Sequence, residues 1–173
     1  MLPAGDVTEK ISKREQSGPE PLGPIVFLCA YYLSMDELQG KTIIFTDLHC
    51  GLAGNKLSRL NICVNVVKEI AQAIKREGVR NVIFGGDWYH SRSTLDVNTI
   101  NVSLKLVQAI AKYARFYLIC GNHDSFLKNS TDVNSLNMFR DTPNVVVVDK
   151  SAEILLNGQA CLLVPWLTDL SKY

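Results

Sequence analysis

The chain has three histidines, His49, His90 and His123, and each stands within three residues of an aspartate. In Asp47-Leu48-His49 a carboxylate and an imidazole are two positions apart. On an extended backbone that spacing puts both on one face, where they can reach a single cation. Gly51 follows and lets the chain turn away. In Gly85-Gly86-Asp87-Trp88-Tyr89-His90, two glycines allow a close backbone approach. They place Asp87 where one carboxylate could bridge two cations and offset the repulsion between ions about 4 Å apart. In Gly121-Asn122-His123-Asp124, the Asn122 amide offers a neutral oxygen to a metal. His123 could donate a proton to a phosphoryl oxygen, and Asp124 could hold that imidazole in one tautomer. Each cluster taken singly has a plainer explanation: a surface loop, a tight turn, or a helix cap made by Asn and Asp. Their combination is more telling. Asp47 and Asp87 are 40 residues apart, Asp87 and Asn122 are 35, and each interval has room for one helix and one strand.

The elements that would position these groups are legible from Lys41 onward. Thr42 to Phe45 is a short apolar run that ends just before Asp47. Leu57, Leu60, Val64, Val67, Ile70, Ala71 and Ile74 recur at helical spacing, and Gly78 closes the run. Val82 to Phe84 predicts the second strand. Leu95 to Ala114 has helical periodicity through Val102, Leu106, Ala109, Ile110 and Tyr113, and Phe116 to Cys120 predicts the third strand. A short helix is expected over Asp132 to Arg140. Strands are expected at Val145–Val148, Ile154–Leu156 and Cys161–Val164, the last two joined by the turn Asn157-Gly158. This alternation predicts a layered α/β sheet with flanking helices. In such sheets ligands gather at the carboxyl ends of the strands, which is where all three clusters fall.

At 173 residues, 47% hydrophobic and 20% charged, the chain suits one globular domain with a sizeable core. A net charge of +1 names no partner. Residues 1–40 carry six acids against three bases, which leaves the remainder mildly basic, as a phosphate-rich substrate would allow. The five cysteines form no CxxC pair, and three lie in apolar runs. That pattern implies a reducing, cytoplasmic setting without a disulfide framework. No apolar run reaches the roughly 18 residues of a membrane span, so no membrane association is expected. Ile25–Leu33 is apolar, but no small-residue cleavage site follows it. Residues 1–24 are rich in Pro, Gly and charge. Residues 1–40 are therefore expected to be a disordered or non-native extension, with Met35 a possible natural start.

Asp47-Leu48-His49, Gly86-Asp87 and Gly121-Asn122-His123-Asp124 resemble the D-x-H, G-D and G-N-H-D motifs of calcineurin-like metallophosphoesterases. The resemblance runs from about Lys41 to Leu170. Within that superfamily the chain looks most like the SbcD-type DNA nucleases and their phage recombination-endonuclease relatives. The softer signals for this are Gly86-Asp87-Trp88-Tyr89-His90, Pro143-Asn144-Val145 to Lys150, and Leu162-Leu163-Val164-Pro165-Trp166. The resemblance implies that Asp47 and His49 ligate a first metal, Asp87 bridges two, and Asn122 ligates the second. It implies that His123 acts in catalysis with Asp124 behind it, and that His90 orients substrate. Two divalent ions are implied, Mn²⁺ first, with Fe, Zn or Mg as alternatives. So are DNA as substrate and an SMC-like ATPase as partner subunit.

The family completes its site with later histidines, including a G-H-x-H motif, and no histidine follows His123 here. Residues 41–173 are accordingly expected to be the N-terminal portion of a phosphoesterase domain, with the strands from Cys161 onward lacking a partner. A phosphatase or phosphodiesterase with a non-DNA substrate, and an inactive fragment, are the competing readings. The three motifs do not separate them.

Overall fold

The computed structural model describes residues 40–166. The expectations for residues 1–39, and for the chain from residue 167, lie outside the described residues. Four strands form one parallel sheet in the order β1 (Thr42–Phe45), β2 (Asn81–Phe84), β3 (Arg115–Ile119) and β4 (Val145–Val148). Neighbouring strands run in register, with Ile44 beside Ile83, Ile83 beside Tyr117 and Tyr117 beside Val146.

The crossovers are helices with one apolar stripe. In α1 (Leu57–Glu77), Leu60, Cys63, Val67, Ile70 and Ile74 are buried at three- and four-residue intervals. The helix stops at Gly78, whose φ of 65° suits a residue without Cβ and whose N–H returns to the Ile74 carbonyl. In α2 (Val97–Ala111) the first turn is capped by Asp96, which accepts the N–H groups of Asn98 and Thr99 at 2.8 and 3.3 Å. The apolar periodicity marked both helices, yet two of its members face outward. Leu57 is exposed, and Tyr113 lies past the end of α2 with the Lys75 ammonium 4.4 Å from its ring centre.

The pleat gives the sheet two apolar faces. Ile43, Phe45, Val82, Phe84, Phe116 and Leu118 pack with the helices. Ile83, Tyr117 and Val148 point the other way, onto Leu156 and Leu163. Those two residues belong to an antiparallel hairpin of β5 (Ala152–Leu156) and β6 (Gln159–Leu163). Its turn residues Asn157 and Gly158 have φ of 52° and 78°, the conformation a two-residue hairpin turn needs. The strand at Cys161 therefore has a partner, contrary to expectation: β6 pairs with β5 and not with the main sheet.

The helix expected over 132–140 is shorter and tighter, a 3₁₀ turn over Ser135–Phe139. The residues ahead of it use side chains to bond nearby backbone. Asn134 Nδ2 donates to the Thr131 carbonyl at 2.7 Å, and the Asp132 N–H donates to Ser130 Oγ at 3.1 Å. Such bonds compete with helical ones. Among the described residues no helix is long and apolar enough to cross a membrane.

Candidate metal centre

Three loops leave the carboxyl ends of β1, β2 and β3 and hold all the singled-out residues. The first two are zipped together by main-chain bonds. The N–H groups of Asp47, His49 and Cys50 donate to the carbonyls of Gly86, Asp87 and Trp88 at 3.0, 3.0 and 2.7 Å. The His90 N–H returns to the Cys50 carbonyl at 3.0 Å. Trp88 and Tyr89, between Asp87 and His90, are fully buried and anchor the second loop in the core, where Trp88 meets Phe84, Phe116 and Phe139 edge-on.

Asp47, His49 and Asp87 have left-handed φ values of 59°, 46° and 64°. Non-glycine residues pay for that conformation, and it clusters at functional sites. Here it turns the three side chains toward one point. Their candidate ligand atoms all lie within 4.8 Å of one another. His49 Nε2 is 3.4 Å from Asp47 Oδ1 and 4.0 Å from Asp87 Oδ2. Donors sharing one ion at about 2.1 Å stand roughly 3–3.5 Å apart, so small adjustments would close the set.

Asn122 completes the group. One head atom of its amide lies 2.9 Å from Asp87 Oδ2 and 3.2 Å from Oδ1. Hydrogen bonding puts the amide nitrogen there; a cation between the two groups would favour the oxygen instead. The mixed oxygen and nitrogen donors fit a divalent metal. A cleft of about 510 Å³ opens beside Asp47, Asp87 and Asn122 and is walled by Pro165 and Trp166. The Trp166 N–H holds that wall to the Cys120 carbonyl at 2.9 Å.

The third loop is locked to the second by Asp124. Its carboxylate accepts the N–H groups of Asp87 at 2.8 Å, Gly121 at 3.0 Å and Tyr89 at 3.1 Å. Burial pushes the Asp124 carboxyl above its usual range, and these backbone donors pull it back. The expectation that Asp124 orients His123 is corrected by these contacts. His123 Nδ1 donates instead to the His90 carbonyl at 2.6 Å, which leaves its Nε2 as the free ring nitrogen. The main-chain N–H of His123 donates to Asp87 Oδ1 at 2.8 Å.

The three imidazoles sit together. Ring centres are 5.0 Å apart for His49 and His123, 5.5 Å for His49 and His90, and 5.4 Å for His90 and His123. Burial, then the neighbouring His49 and His123, hold the His90 imidazole below its usual range. Cys50 adjoins His49 in sequence but is core: the Cys63 thiol and burial push its thiol up, away from the thiolate a metal would need.

Sequence reasoning brought Asp47, His49, Asp87, Asn122, His90 and His123 to one place. It missed two contributions. Gly121 is one, and only its lack of a Cβ marks it. Trp166 is the other, and its sole signal was the Pro-Trp ending of the last strand.

The profile of the calcineurin-like phosphoesterase family matches residues 40–164. The chain belongs to that family. Among curated relatives, exonuclease subunit 1 of Enterobacteria phage T4 is 26% identical over 131 residues, 75% of this chain and 39% of the phage protein. The double-strand break repair protein mre-11 of Caenorhabditis elegans is 28% identical over 82 residues, 47% of this chain and 10% of the worm protein. The chain thus spans well under half the length of either relative. A solved Pseudomonas putida nuclease, MPE, superposes on 63% of this chain and 48% of its own, with a TM-score of 0.43 and 19% identity.

Proposed function

We propose that this chain carries the metal-binding loops of a two-metal phosphodiesterase that cuts DNA. The observation that supports this most is the convergence of Asp47, His49 and Asp87 within 4.8 Å, on left-handed backbone, with Asn122 against Asp87. The phage exonuclease subunit and the worm repair protein favour DNA over other phosphoesters as the substrate class. The phage protein's name, a subunit, also fits a working assembly with a second subunit, for which an SMC-like ATPase is the candidate.

In this reading Asp47 and His49 would hold a first divalent ion and Asn122 a second, with Asp87 shared between them, and Mn²⁺ would suit these carboxylate-rich donors. When bound there, divalent ions would supply an activated water and neutralise charge on the phosphoryl oxygens. The chain's own groups do the rest. Asp87 is kept in place by the His123 N–H, so its carboxylate is positioned before any ion arrives. His123, with Nδ1–H committed to the His90 carbonyl, presents Nε2 to the leaving oxygen, and the ring in its imidazolium form can give up the Nε2 proton there and remain as the neutral Nδ1–H tautomer. His90 stacks on His123 at an interplanar angle of 18° and orients the substrate beside it.

The test is digestion of single- and double-stranded DNA with Mn²⁺, set beside a chromogenic phosphodiester. DNA cleavage that disappears in Asp87→Asn supports the proposal. Turnover of the chromogenic ester alone favours a small-molecule phosphodiesterase, and Mn²⁺ binding without any turnover favours a non-catalytic fragment.

A further inference from the structure

We propose that His49, His90 and His123 form a second cation site, a three-imidazole cradle that prefers Zn²⁺-like ions to Mn²⁺ or Mg²⁺. One ring nitrogen from each of the three lies within 4.8 Å of the others. Their chemistry is unlike that of the carboxylate set. Three neutral imidazoles suit borderline ions such as Zn²⁺, Ni²⁺ or Cu²⁺, whereas carboxylate and amide oxygens suit Mn²⁺ and Mg²⁺. Three histidines with one open position is also an arrangement in which Zn²⁺ is stably held.

A second feature points to a ligand. His49 Nδ1 and His90 Nδ1 are buried and have no hydrogen-bond partner. Buried ring nitrogens left unpaired are costly and call for a partner. Meanwhile the His90 carbonyl takes Nδ1 of His123, so the His123 ring can offer only Nε2. A tetrahedral ion at about 2.0–2.1 Å needs nitrogens roughly 3.4 Å apart, so each ring must move by less than about 1 Å.

The cleft's lining includes Asp47, Asp87 and Asn122, and the three histidines stand at its side, outside that lining. The two sets meet only in His49. An ion in the cradle therefore draws on a side chain of the carboxylate set and occupies both His90 and His123. Zn²⁺ at the cradle would act as an inhibitor of whatever the carboxylate set hydrolyses. The cradle itself follows from the imidazole geometry and is independent of that activity.

The experiment uses the full chain and two probes: Zn²⁺, titrated against a chromophoric chelator, and Mn²⁺, followed by electron paramagnetic resonance. In Asp47→Asn/Asp87→Asn, Zn²⁺ should still bind one to one. Adding His90→Ala or His123→Gln should weaken Zn²⁺ at least about tenfold. Mn²⁺ should show the reverse, weakened by the aspartate substitutions and unchanged within about twofold by either histidine substitution. Zn²⁺ affinity that ignores both histidine variants, or that vanishes with the two aspartates, overturns the cradle. The histidines lie on different loops, so one folded variant is enough to decide between these outcomes. Failure of the Mn²⁺ arm alone counts against the proposed function and leaves the cradle standing.

Discussion

Gly121 lies so close to Asp87 that a Cβ added to it would stand 2.3 Å from both the Asp87 nitrogen and Oδ1. The glycine lets the third loop slide under the second until the His123 N–H reaches the Asp87 carboxylate. Gly86 is part of the same fit, since a Cβ there would meet the Gly121 Cα at 2.8 Å.

Gly121→Ala should therefore damage the site and the fold together. The clash is with backbone, which cannot rotate aside. A stability loss of about 2–3 kcal/mol is expected, along with weaker Mn²⁺ binding. Denaturant unfolding and Mn²⁺ titration on the same sample check both. Unchanged Mn²⁺ affinity would mean that the Asp87 position tolerates a shift that the geometry says it cannot.

Asp87→Asn should separate the two effects. Asparagine tolerates the left-handed φ of 64°, and its amide oxygen can still accept the His123 N–H. The melting temperature should stay within a few degrees of the parent. Loss of a bridging charge should lower cation-dependent turnover by more than the roughly 10–100-fold typical of outer-shell changes. Retained turnover at any metal concentration would remove Asp87 from the bridging role.

His123→Ala tests a role that leaves the ions alone. The link from residue 123 to Asp87 is a main-chain N–H, so it survives truncation of the ring. Mn²⁺ affinity should hold, and turnover should fall by about 10²–10⁴-fold, the usual reach of a positioned proton donor. Parallel losses in both would make His123 a ligand of the same ions.

These three positions also show what could be read before folding. Apolar periodicity and the strand-end rule placed Asp47, His49, Asp87 and Asn122 on neighbouring loops, because both are properties of local sequence. The partner of the His123 ring was not legible. That bond runs to a carbonyl, and every residue has one. The job of Asp124 was hidden for the same reason: its partners are the N–H groups of Asp87, Tyr89 and Gly121, which no side-chain motif announces. The 3₁₀ turn at Ser135–Phe139 escaped because helical spacing over so few residues fits either helix type. It keeps Leu136 and Phe139, three apart, both buried.

Asp124→Ala follows from that hidden role. It would leave three N–H groups without their acceptor at a position only 1% exposed. The loss should be about 3 kcal/mol or more, comparable with breaking other buried charged networks. Chemical denaturation should register it without any metal present. A near-parent midpoint would mean that water or a repacked side chain takes over the acceptor's place.

Far from the site, Glu77 ends α1 beside Lys41, which sits just ahead of β1, and the two side chains meet at 2.6 Å. The Lys41 ammonium, with the Arg76 guanidinium, holds the Glu77 carboxyl down at about 2 from an ordinary 4.5. A carboxyl depressed in the fold adds stability above its unfolded value and loses it as pH falls from about 4.5 through 2. Glu77→Gln should therefore lower the melting temperature slightly at neutral pH, and the gap to the parent should close as pH drops through that window. The pair is at the surface, so the gap should be small and should shrink in high salt. Melting curves across that pH range at low and high ionic strength check this. A gap that persists at the acid end would have to come from packing of the side-chain stem and not from its charge.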